Sequence, residues 1–395
     1  MTTIAELDCA ITPTTDGEIA LINLESARGR SWTRFFADPT RDGVAEAVVA
    51  CEQLRLQFVG DVSSLDRVEA LSAQLNQIDT ASARVALIQA QVASMAHRFS
   101  DAGHYLAQAE TGGAPTADVD RLRLSIEQAC GTDVDRVLRE RRELARGPGR
   151  LEDLLSLGAL LADLGEFASA DRTYEDALRA YQDVSPFPVA WVWFQRGVLY
   201  GELLPQPRQE EAAACYQNAI RYLPHYTKAA VHLAEVYLSA GRPDEAGALL
   251  VPVLACGDPE VRWRLADAMS AQGKSADAEA HMWAARSGFE SLLARHLLAF
   301  ADHGAEFYAG SGDDCRRALE LARINVANRP TLRAFEQAHA IAVDAGDADA
   351  ASELFAEAMR RWGDTGAFPA SRLAAGHLAR AVATADADWA GHARA

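Results

Sequence analysis

One spacing recurs along most of the chain and limits what it can fold into. Amphipathic, helix-like segments occur in pairs, and the first segment of each pair has a residue, usually a small one, midway along its length. A period of 30 to 40 residues predicts a two-helix unit that repeats along the chain. One such unit cannot cover its own apolar face, so the units are expected to stack side by side. The midpoints lie 32 to 39 residues apart, at Gly158, Gly197, Ala234, Ala266, Gly304 and His339.

The residue types within each unit fit two antiparallel helices in close contact. Helix axes approach to about 8–10 Å only where small side chains face one another, and we assign Gly158, Ala170 and Ala177 to such positions. Gly165 suits the end of a first helix, and Pro243 suits the first turn of a second one. The sequence therefore predicts an all-α fold with no place for a parallel sheet.

The repeat weakens toward the amino end. Ala90 opens a degraded unit that continues through Phe99 and Leu106, and two amphipathic segments flank Gly60 within residues 44–77. We therefore expect about seven to nine repeats. The predicted organisation is an amino-terminal segment or cap at 1–42, degenerate repeats at 43–148, a regular array at 149–365, and a capping helix with a frayed tail at 366–395.

Composition and charge exclude several classes of protein. The 395 residues include 38 Lys+Arg and 56 Asp+Glu, a formal net charge of −18. This argues against a general nucleic-acid or anionic-membrane binder, because polyanions are held by clustered positive charge. The sequence shows no secretory signal and no apolar run of roughly 18 residues that could span a membrane. The cysteines form no CxxC pair, which predicts reduced thiols and a cytoplasmic protein, and the scarcity of lysine indicates a GC-rich, bacterial genome.

Signature positions of a known repeat family are filled in the unit at 190–224, by Trp193, Gly197, Tyr200, Ala212, Tyr216, Ala219 and Pro224. This unit resembles the tetratricopeptide repeat, a helix–turn–helix motif of about 34 residues. The resemblance is strong over 151–287 and weaker over 288–362 and 44–146. It departs from the family at an insertion (205–207), a lengthened helix (289–307) and His339. The resemblance implies a right-handed superhelical solenoid of antiparallel helix pairs, whose concave face binds an extended peptide or a helix, and it implies no catalysis.

The resemblance also assigns residues to a concave groove, because the first helix of each pair lines that groove in this family. The lysine/asparagine clamp with which related adaptors hold a peptide's terminal carboxylate is absent, since Leu155 and Ala159 occupy two of its places. The expected groove is aromatic with charged flanks, and aromatic and arginine side chains are common interface anchors. The alternative is that one or more of the rings are buried between repeats. The predicted groove residues are Leu155, Trp191, Phe194, Val198, Lys228, His232, Glu235, Trp263, Arg264 and Asp267.

Three further features each have two interpretations. The histidines that occur seven apart, at 97/104, 225/232 and 296/303, would lie about 10.5 Å apart on one helix, too far to share a metal ion. We therefore expect no metal and no cofactor. The basic cluster at 136–150 is interpreted as a solvated helix in preference to an anion site. Trp32, Phe35 and Phe36 either cap the first repeat, which we favour, or form a docking patch.

The sequence favours a non-catalytic scaffold or adaptor that binds a peptide, a helix or a partner protein in its groove. No Walker loop, GxGxxG, HExxH or GxSxG motif supports catalysis. One alternative is an assembly or maturation helper that recognises a leader segment of an enzyme or exported product. Another is an enzyme, or a cofactor- or metal-carrying protein, with a site near 288–312, where His296, Asp302 and His303 lie. Self-association stays open, because a second copy can bury the end of a stack.

Overall fold

The computed structural model describes residues 12–147 and 151–375, which we call the front half and the back half. The described residues are helical or lie in turns, and none of them forms a strand. No helix in these two ranges is long and apolar enough to cross a membrane. The helices of the front half are α1 (Gly17–Ala37), α2 (Val44–Leu54), α3 (Ser63–Ile78), α4 (Ala83–Met95), α5 (Phe99–Thr111), α6 (Thr116–Cys130) and α7 (Val134–Arg146).

The back half continues the same plan in the described part of the chain. π-Helical turns extend α2 over Arg55–Val59 and α10 over Leu199–Leu203, and a 3-10 turn extends α13 over Val251–Cys256. The helices are α8 (Leu151–Asp163), α9 (Phe167–Ala180), α10 (Pro186–Val198), α11 (Gln209–Tyr222), α12 (Thr227–Ser239), α13 (Pro243–Leu250), α14 (Pro259–Ala271), α15 (Ser275–Ala309), α16 (Cys315–Asn328), α17 (Leu332–Asp344), α18 (Ala348–Trp362) and α19 (Ala367–Ala370).

The predicted all-α stack of helix pairs is confirmed. Within the described residues the pairs run from α2 with α3 to α17 with α18, which gives nine if α15 counts as two helices. The division of α15 is justified because its backbone leaves helical geometry at His296, with φ −134° and ψ 51°. The lengthened helix expected at 289–307 is thus the end of one pair and the start of the next. The predicted carboxy-terminal cap lies largely outside the described residues.

Small residues bring the paired helices together as predicted. A Cβ atom on Gly158 would lie less than 3.0 Å from ring atoms of Tyr174, and one on Gly197 would clash with the ring of Tyr216 in the same way. Both tyrosines are almost completely buried. Gly165 ends α8 with a left-handed φ of +75°, the conformation that favours glycine at a helix end. These two pairs are therefore held by an aromatic ring that lies directly on a glycine.

The front half packs along one edge of the back half, and the contacts follow the same order in both. The Thr15 amide donates to the Val184 carbonyl (2.7 Å), and the Thr227 hydroxyl donates to the Val59 carbonyl (2.8 Å). Farther along, the side-chain amide of Asn328 donates to a carbonyl of the front half (2.9 Å). This parallel order is what a superhelix produces when one turn lies directly on the next.

Apolar and ionic contacts both join the two halves. The Phe58 ring lies between Phe187 and Tyr226, with ring centroids 5.1 and 4.8 Å away. The imidazole of His296, which is only 2% exposed as a side chain, lies 2.8 Å from a carboxylate oxygen of Asp66. The kink in α15 therefore places a buried histidine at the junction between the halves.

The start of the front half is fixed by one buried carboxylate. Glu52 on α2 is 0% exposed and accepts hydrogen bonds from Arg28, Trp32, Ser64 and Arg67 at 2.7–2.9 Å. These donors lie on α1 and α3. A buried carboxylate is tolerated only when it is paired in this way. Glu52 thus ties the first three helices together.

Candidate functional site

The apolar residues predicted for the groove lie mainly in the core. Leu155, Phe194, Val198 and Trp263 are 2%, 7%, 7% and 2% exposed, and only Trp191 is half-buried. The Phe194 ring packs among aromatic rings of its own repeat and the next, and Trp263 packs edge-on against two phenylalanines of α15. The expectation of an aromatic groove is therefore corrected. Phe194 and Trp263 are rings buried between repeats, as the alternative interpretation had it.

The polar residues predicted for the groove do come together. Arg264 on α14 forms ion pairs with Glu235 on α12 and with Glu306 on α15, the second at 2.9 Å. Asp267 lies 3.8 Å from the same guanidinium, and His232 lies 3.8 Å from Glu235. These side chains are partly exposed. The first helices of successive pairs thus present a charged surface that water reaches, which we call the inner wall.

Glu202, which sequence reasoning missed, links distant parts of the inner wall. Its carboxylate lies 2.7 Å from Nδ1 of His232 and 2.5 Å from a guanidinium nitrogen of Arg333, and its backbone carbonyl accepts from Arg372. Arg333 and Arg372 follow it by 131 and 170 residues. These contacts therefore cross the interior of the solenoid. Burial disfavours the charged imidazole, but Glu202 and Glu235 outweigh it and raise the pKa of His232 to about 9.

A second group of charges lies on α14, α15 and the turn after α16. Nδ1 of His303 is 2.5 Å from a carboxylate oxygen of Glu260, and Asp302 pairs with Arg329. Burial opposes both charges, yet their mutual attraction raises the pKa of His303 to about 10 and lowers that of Glu260 to about 2. Burial together with the Glu260 charge raises the pKa of Asp258 to about 6.

Two carboxylates of the inner wall lack an ion-pair partner within 4.0 Å among the described residues. Around Asp163, at the end of α8, neighbouring parts of the chain displace solvent, and this burial raises the pKa of the carboxyl to about 6, although water still reaches the side chain. Glu336 on α17 accepts the backbone amide of Arg372, and burial raises its pKa as well. A raised carboxyl pKa means that the charged form is poorly solvated where it stands.

Carboxylates outnumber basic side chains on the inner wall. The charged groups described above, together with Lys228 on α12, comprise nine carboxylates and five lysines and arginines, and protonation of His232 and His303 reduces the excess from four to two. The carboxylates are those of Asp163, Glu202, Glu235, Asp258, Glu260, Asp267, Asp302, Glu306 and Glu336. The basic groups are those of Lys228, Arg264, Arg329, Arg333 and Arg372.

One sequence signal could have assigned most of the remaining charged residues to the inner wall. Asp302, His303 and Glu306 on α15, and Arg333 and Glu336 on α17, lie on first helices of pairs, as do the charged residues assigned on α12 and α14. Extending the family's groove positions to the later, less regular repeats would have included them. Glu202 lies in the π-helical turn after α10, outside any such pattern.

The other features noted in the sequence can each be placed in the structure. Within the described ranges, no group of three or more His, Cys, Asp and Glu side chains is placed to hold a metal ion. In the basic cluster, Arg136 pairs with Glu127, Asp133 and Glu140, which fits the solvated helix better than an anion site. Phe35 is fully buried, whereas Phe36 is 69% exposed.

Comparisons with known proteins agree with this helical-repeat architecture. Residues 208–257, which contain α11, α12 and α13, match the family model of the tetratricopeptide repeat. No curated protein matches the chain. The matched segment therefore has the character of a tetratricopeptide repeat, a helical-repeat fold typical of protein-interaction scaffolds.

Three solved structures are similar to the chain at low sequence identity. The Cut9–Hcn1 hetero-tetramer of the APC/C has 15% identity and a TM-score of 0.43, over 87% of this chain and 63% of that one. Yeast Tom70 has 13% identity and a TM-score of 0.33, over 94% and 96%. A human IFIT1 dimer with PPP-AAAA has 13% identity and a TM-score of 0.37, over 86% and 68%. The chain thus spans less than two thirds of the Cut9–Hcn1 chain.

Proposed function

We propose that the protein is a non-catalytic adaptor whose inner wall binds an extended segment of a partner protein rich in arginine and lysine. The observation that carries this proposal is the excess of carboxylates on the partly exposed inner wall. A segment with basic side chains complements that excess, and electrostatic complementarity favours both specificity and rapid association. The same excess disfavours nucleic acid, whose phosphates would face carboxylates.

The wall is fixed before a partner arrives, which lowers the cost of binding. Ion pairs such as Arg264 with Glu306 and His303 with Glu260 join neighbouring repeats and hold their side chains in place. A preformed surface of this kind loses little conformational freedom when a flexible segment orders against it. The main ordering cost then falls on the segment.

Asp163 and Glu336 are the positions at which we expect a partner's basic group to bind. Both have raised pKa values and no ion-pair partner among the described residues. An arginine or lysine placed beside either one would supply the missing counter-charge and favour the ionised carboxylate. Asp267 and the half-buried Trp191 remain our predicted secondary contacts. Lys228, a further predicted groove residue, would repel basic side chains at its own position.

The state of the cysteines supports one further part of the proposal. The described cysteines, at positions 51, 130, 215, 256 and 315, are free thiols. Free thiols suit a reducing compartment, so we propose a cytoplasmic adaptor. A basic leader segment of an enzyme or exported product is one kind of partner segment with the arginine- and lysine-rich character that we propose.

Labelled peptides of defined charge test the proposal. Three 15-residue peptides of glycine, serine and alanine would carry four spaced arginines, four spaced aspartates or no charge, and binding would be followed by fluorescence anisotropy. We expect only the arginine peptide to bind, with an affinity that falls as salt is added. In the variant Asp163→Asn/Glu336→Gln, the affinity should fall about tenfold, which corresponds to roughly 1.4 kcal/mol.

A matched control separates this site from the overall acidity of the protein. Glu353→Gln/Glu357→Gln removes the same number of charges from the exposed surface of α18 and should leave the affinity unchanged. Equal losses in the two double variants, or equal binding of the uncharged peptide, would show that the inner wall is not the binding site.

A further inference from the structure

The first helix presents a face that nothing in the described chain covers. Along α1, Ala20, Leu24 and Phe35 are buried against the rest of the protein. On the opposite side, Ile22 and Phe36 are 68% and 69% exposed, and Ile19 is 52% exposed. Large apolar side chains exposed in this number on one helix usually mark an interaction site.

The spacing on this face is that of a helix that pairs with another helix. Residues alternate at intervals of three and four, which matches the a and d positions of a heptad repeat. Large apolar residues stand at the two ends, and small ones lie between them, where helices can approach closely. The hydroxyl of Thr33 is satisfied within its own helix, by the carbonyl of Gly29 at 2.9 Å. The six seam residues are Ile19, Ile22, Ser26, Gly29, Thr33 and Phe36.

The centre of the seam is open. A Cβ atom built on Gly29 would meet no other atom within 4 Å. Nothing in the described chain therefore requires glycine at this exposed mid-helix position, where it weakens a helix by about 1 kcal/mol relative to alanine. A second helix that crosses close to this point would account for the missing side chain.

Charges beside the seam indicate what the second helix is. In the heptad set by the seam, Glu25 takes a g position and Arg30 takes the e position five residues later. In a parallel pair of identical helices, g of one copy meets e of the other, so Glu25 would face Arg30 twice. The Glu25 carboxylate already pairs with Arg28 (2.8 Å) and Arg55 of its own copy but is still 53% exposed. Arg30 of the second copy would therefore join an existing ionic cluster. Arg30 already turns toward this level of the helix, because its guanidinium donates to the hydroxyl of Ser26 (2.5 Å).

The opposite orientation is disfavoured by the same residues. An antiparallel pair brings g positions against g and e against e, which would place Glu25 near Glu18 or Glu25 of the second copy and bring the arginines together. Like charges so placed are repulsive. We therefore propose that two copies of this chain associate through a parallel, two-fold pairing of their α1 helices.

The short length of the seam predicts a dimer that dissociates readily. A helix of 21 residues is about 31 Å long, and one helix pair of this length lies at the lower end of the areas that stable interfaces bury. We expect monomer and dimer to interconvert over the micromolar range. The pairing leaves the inner wall untouched, so each copy would keep its own binding surface.

Sedimentation velocity from 1 to 300 µM tests the proposal with the full chain. The unmodified protein should shift from monomer to dimer over this range, and Ile22→Asp should raise the dissociation constant at least a hundredfold. Val251→Asp is the matched control, because Val251 is also exposed (58%) but lies on the back half, and its dimer should be unchanged. A protein that stays monomeric throughout, or a dimer that survives Ile22→Asp, overturns the proposal.

Charge exchange tests the orientation separately. Arg30→Glu should weaken the parallel dimer about tenfold by facing Glu25 with a second carboxylate, and Glu25→Arg/Arg30→Glu should restore it. In an antiparallel dimer, where e faces e, Arg30→Glu would exchange one pair of like charges for another. An affinity that Arg30→Glu leaves unchanged would therefore refute the parallel arrangement. A thermal melt of each variant establishes that the fold is retained.

Discussion

Replacing Gly197 by alanine should destabilise the protein through one buried ring. The added Cβ would lie less than 3.0 Å from three ring atoms of Tyr216, which is 1% exposed. That ring cannot move aside freely, because Phe194 and His232 lie beside it with ring centroids 5.8 and 5.5 Å away. Its hydroxyl also donates to Glu202 (3.3 Å), so a shift would disturb the inner wall.

The size of the effect follows from three contributions. Overpacking of a close-packed core costs about 1–3 kcal/mol, and loss of the Tyr216 hydrogen bond costs about 1 kcal/mol more. Alanine is favoured over glycine inside a helix by about 1 kcal/mol, which offsets the hydrogen bond. The free energy of unfolding of Gly197→Ala should therefore be lower by about 1–3 kcal/mol.

Urea denaturation followed by far-ultraviolet circular dichroism measures this change. Gly103→Ala is the matched control, because Gly103 also lies within a helix but a Cβ there meets no atom within 4 Å. The control should be stabilised by up to about 1 kcal/mol. If Gly197→Ala is as stable as the unmodified protein, close contact between glycine and ring does not hold the repeats together.

Three further predictions concern charged groups. Glu52→Gln should lower the free energy of unfolding by about 3 kcal/mol, because it leaves the guanidinium of Arg67 without its buried carboxylate; urea denaturation measures this, and a loss below about 1 kcal/mol would contradict it. Asp66→Asn should weaken the junction of the two halves by about 1 kcal/mol through its contact with His296, and an unchanged unfolding midpoint would show that this contact contributes nothing. Asp163→Asn should stabilise the protein at pH 7. The folded pKa of about 6 lies above the usual value, so the carboxyl stabilises the fold only at acid pH and loses that contribution as the pH rises through 6. After allowance for solvent screening, the gain at pH 7 should be about 0.5–1 kcal/mol and should vanish near pH 3.5; an equal gain at both values would refute this assignment.

The pairing of helices could be predicted from sequence because it depends on neighbouring residues. Gly158 and Gly197 each lie opposite a tyrosine of the next helix, so the contact recurs in two successive pairs. The kink at His296 was visible only as a lengthened helix, and the contact of His296 with Asp66 joins residues 230 positions apart, which no local pattern records.

The composition of the inner wall could be predicted only in part. A position on a first helix does not determine whether a ring faces the concave surface or the next repeat. Trp263 is buried because Phe289 and Phe307 of α15 surround it. The contact of Glu202 with Arg333 depends on how small rotations between successive repeats add up, which no local pattern records.

The contact of the front half with the back half changes how this protein should fold. In an open repeat array each unit meets only its neighbours, so the ends can fray while the middle stays intact. Here hydrogen bonds join residues 168 to 231 positions apart, and loops of this length must close before the contacts form. Folding should accordingly be slower than for an open array of the same length, and loss of the amino-terminal helices should loosen repeats that lie more than a hundred residues away.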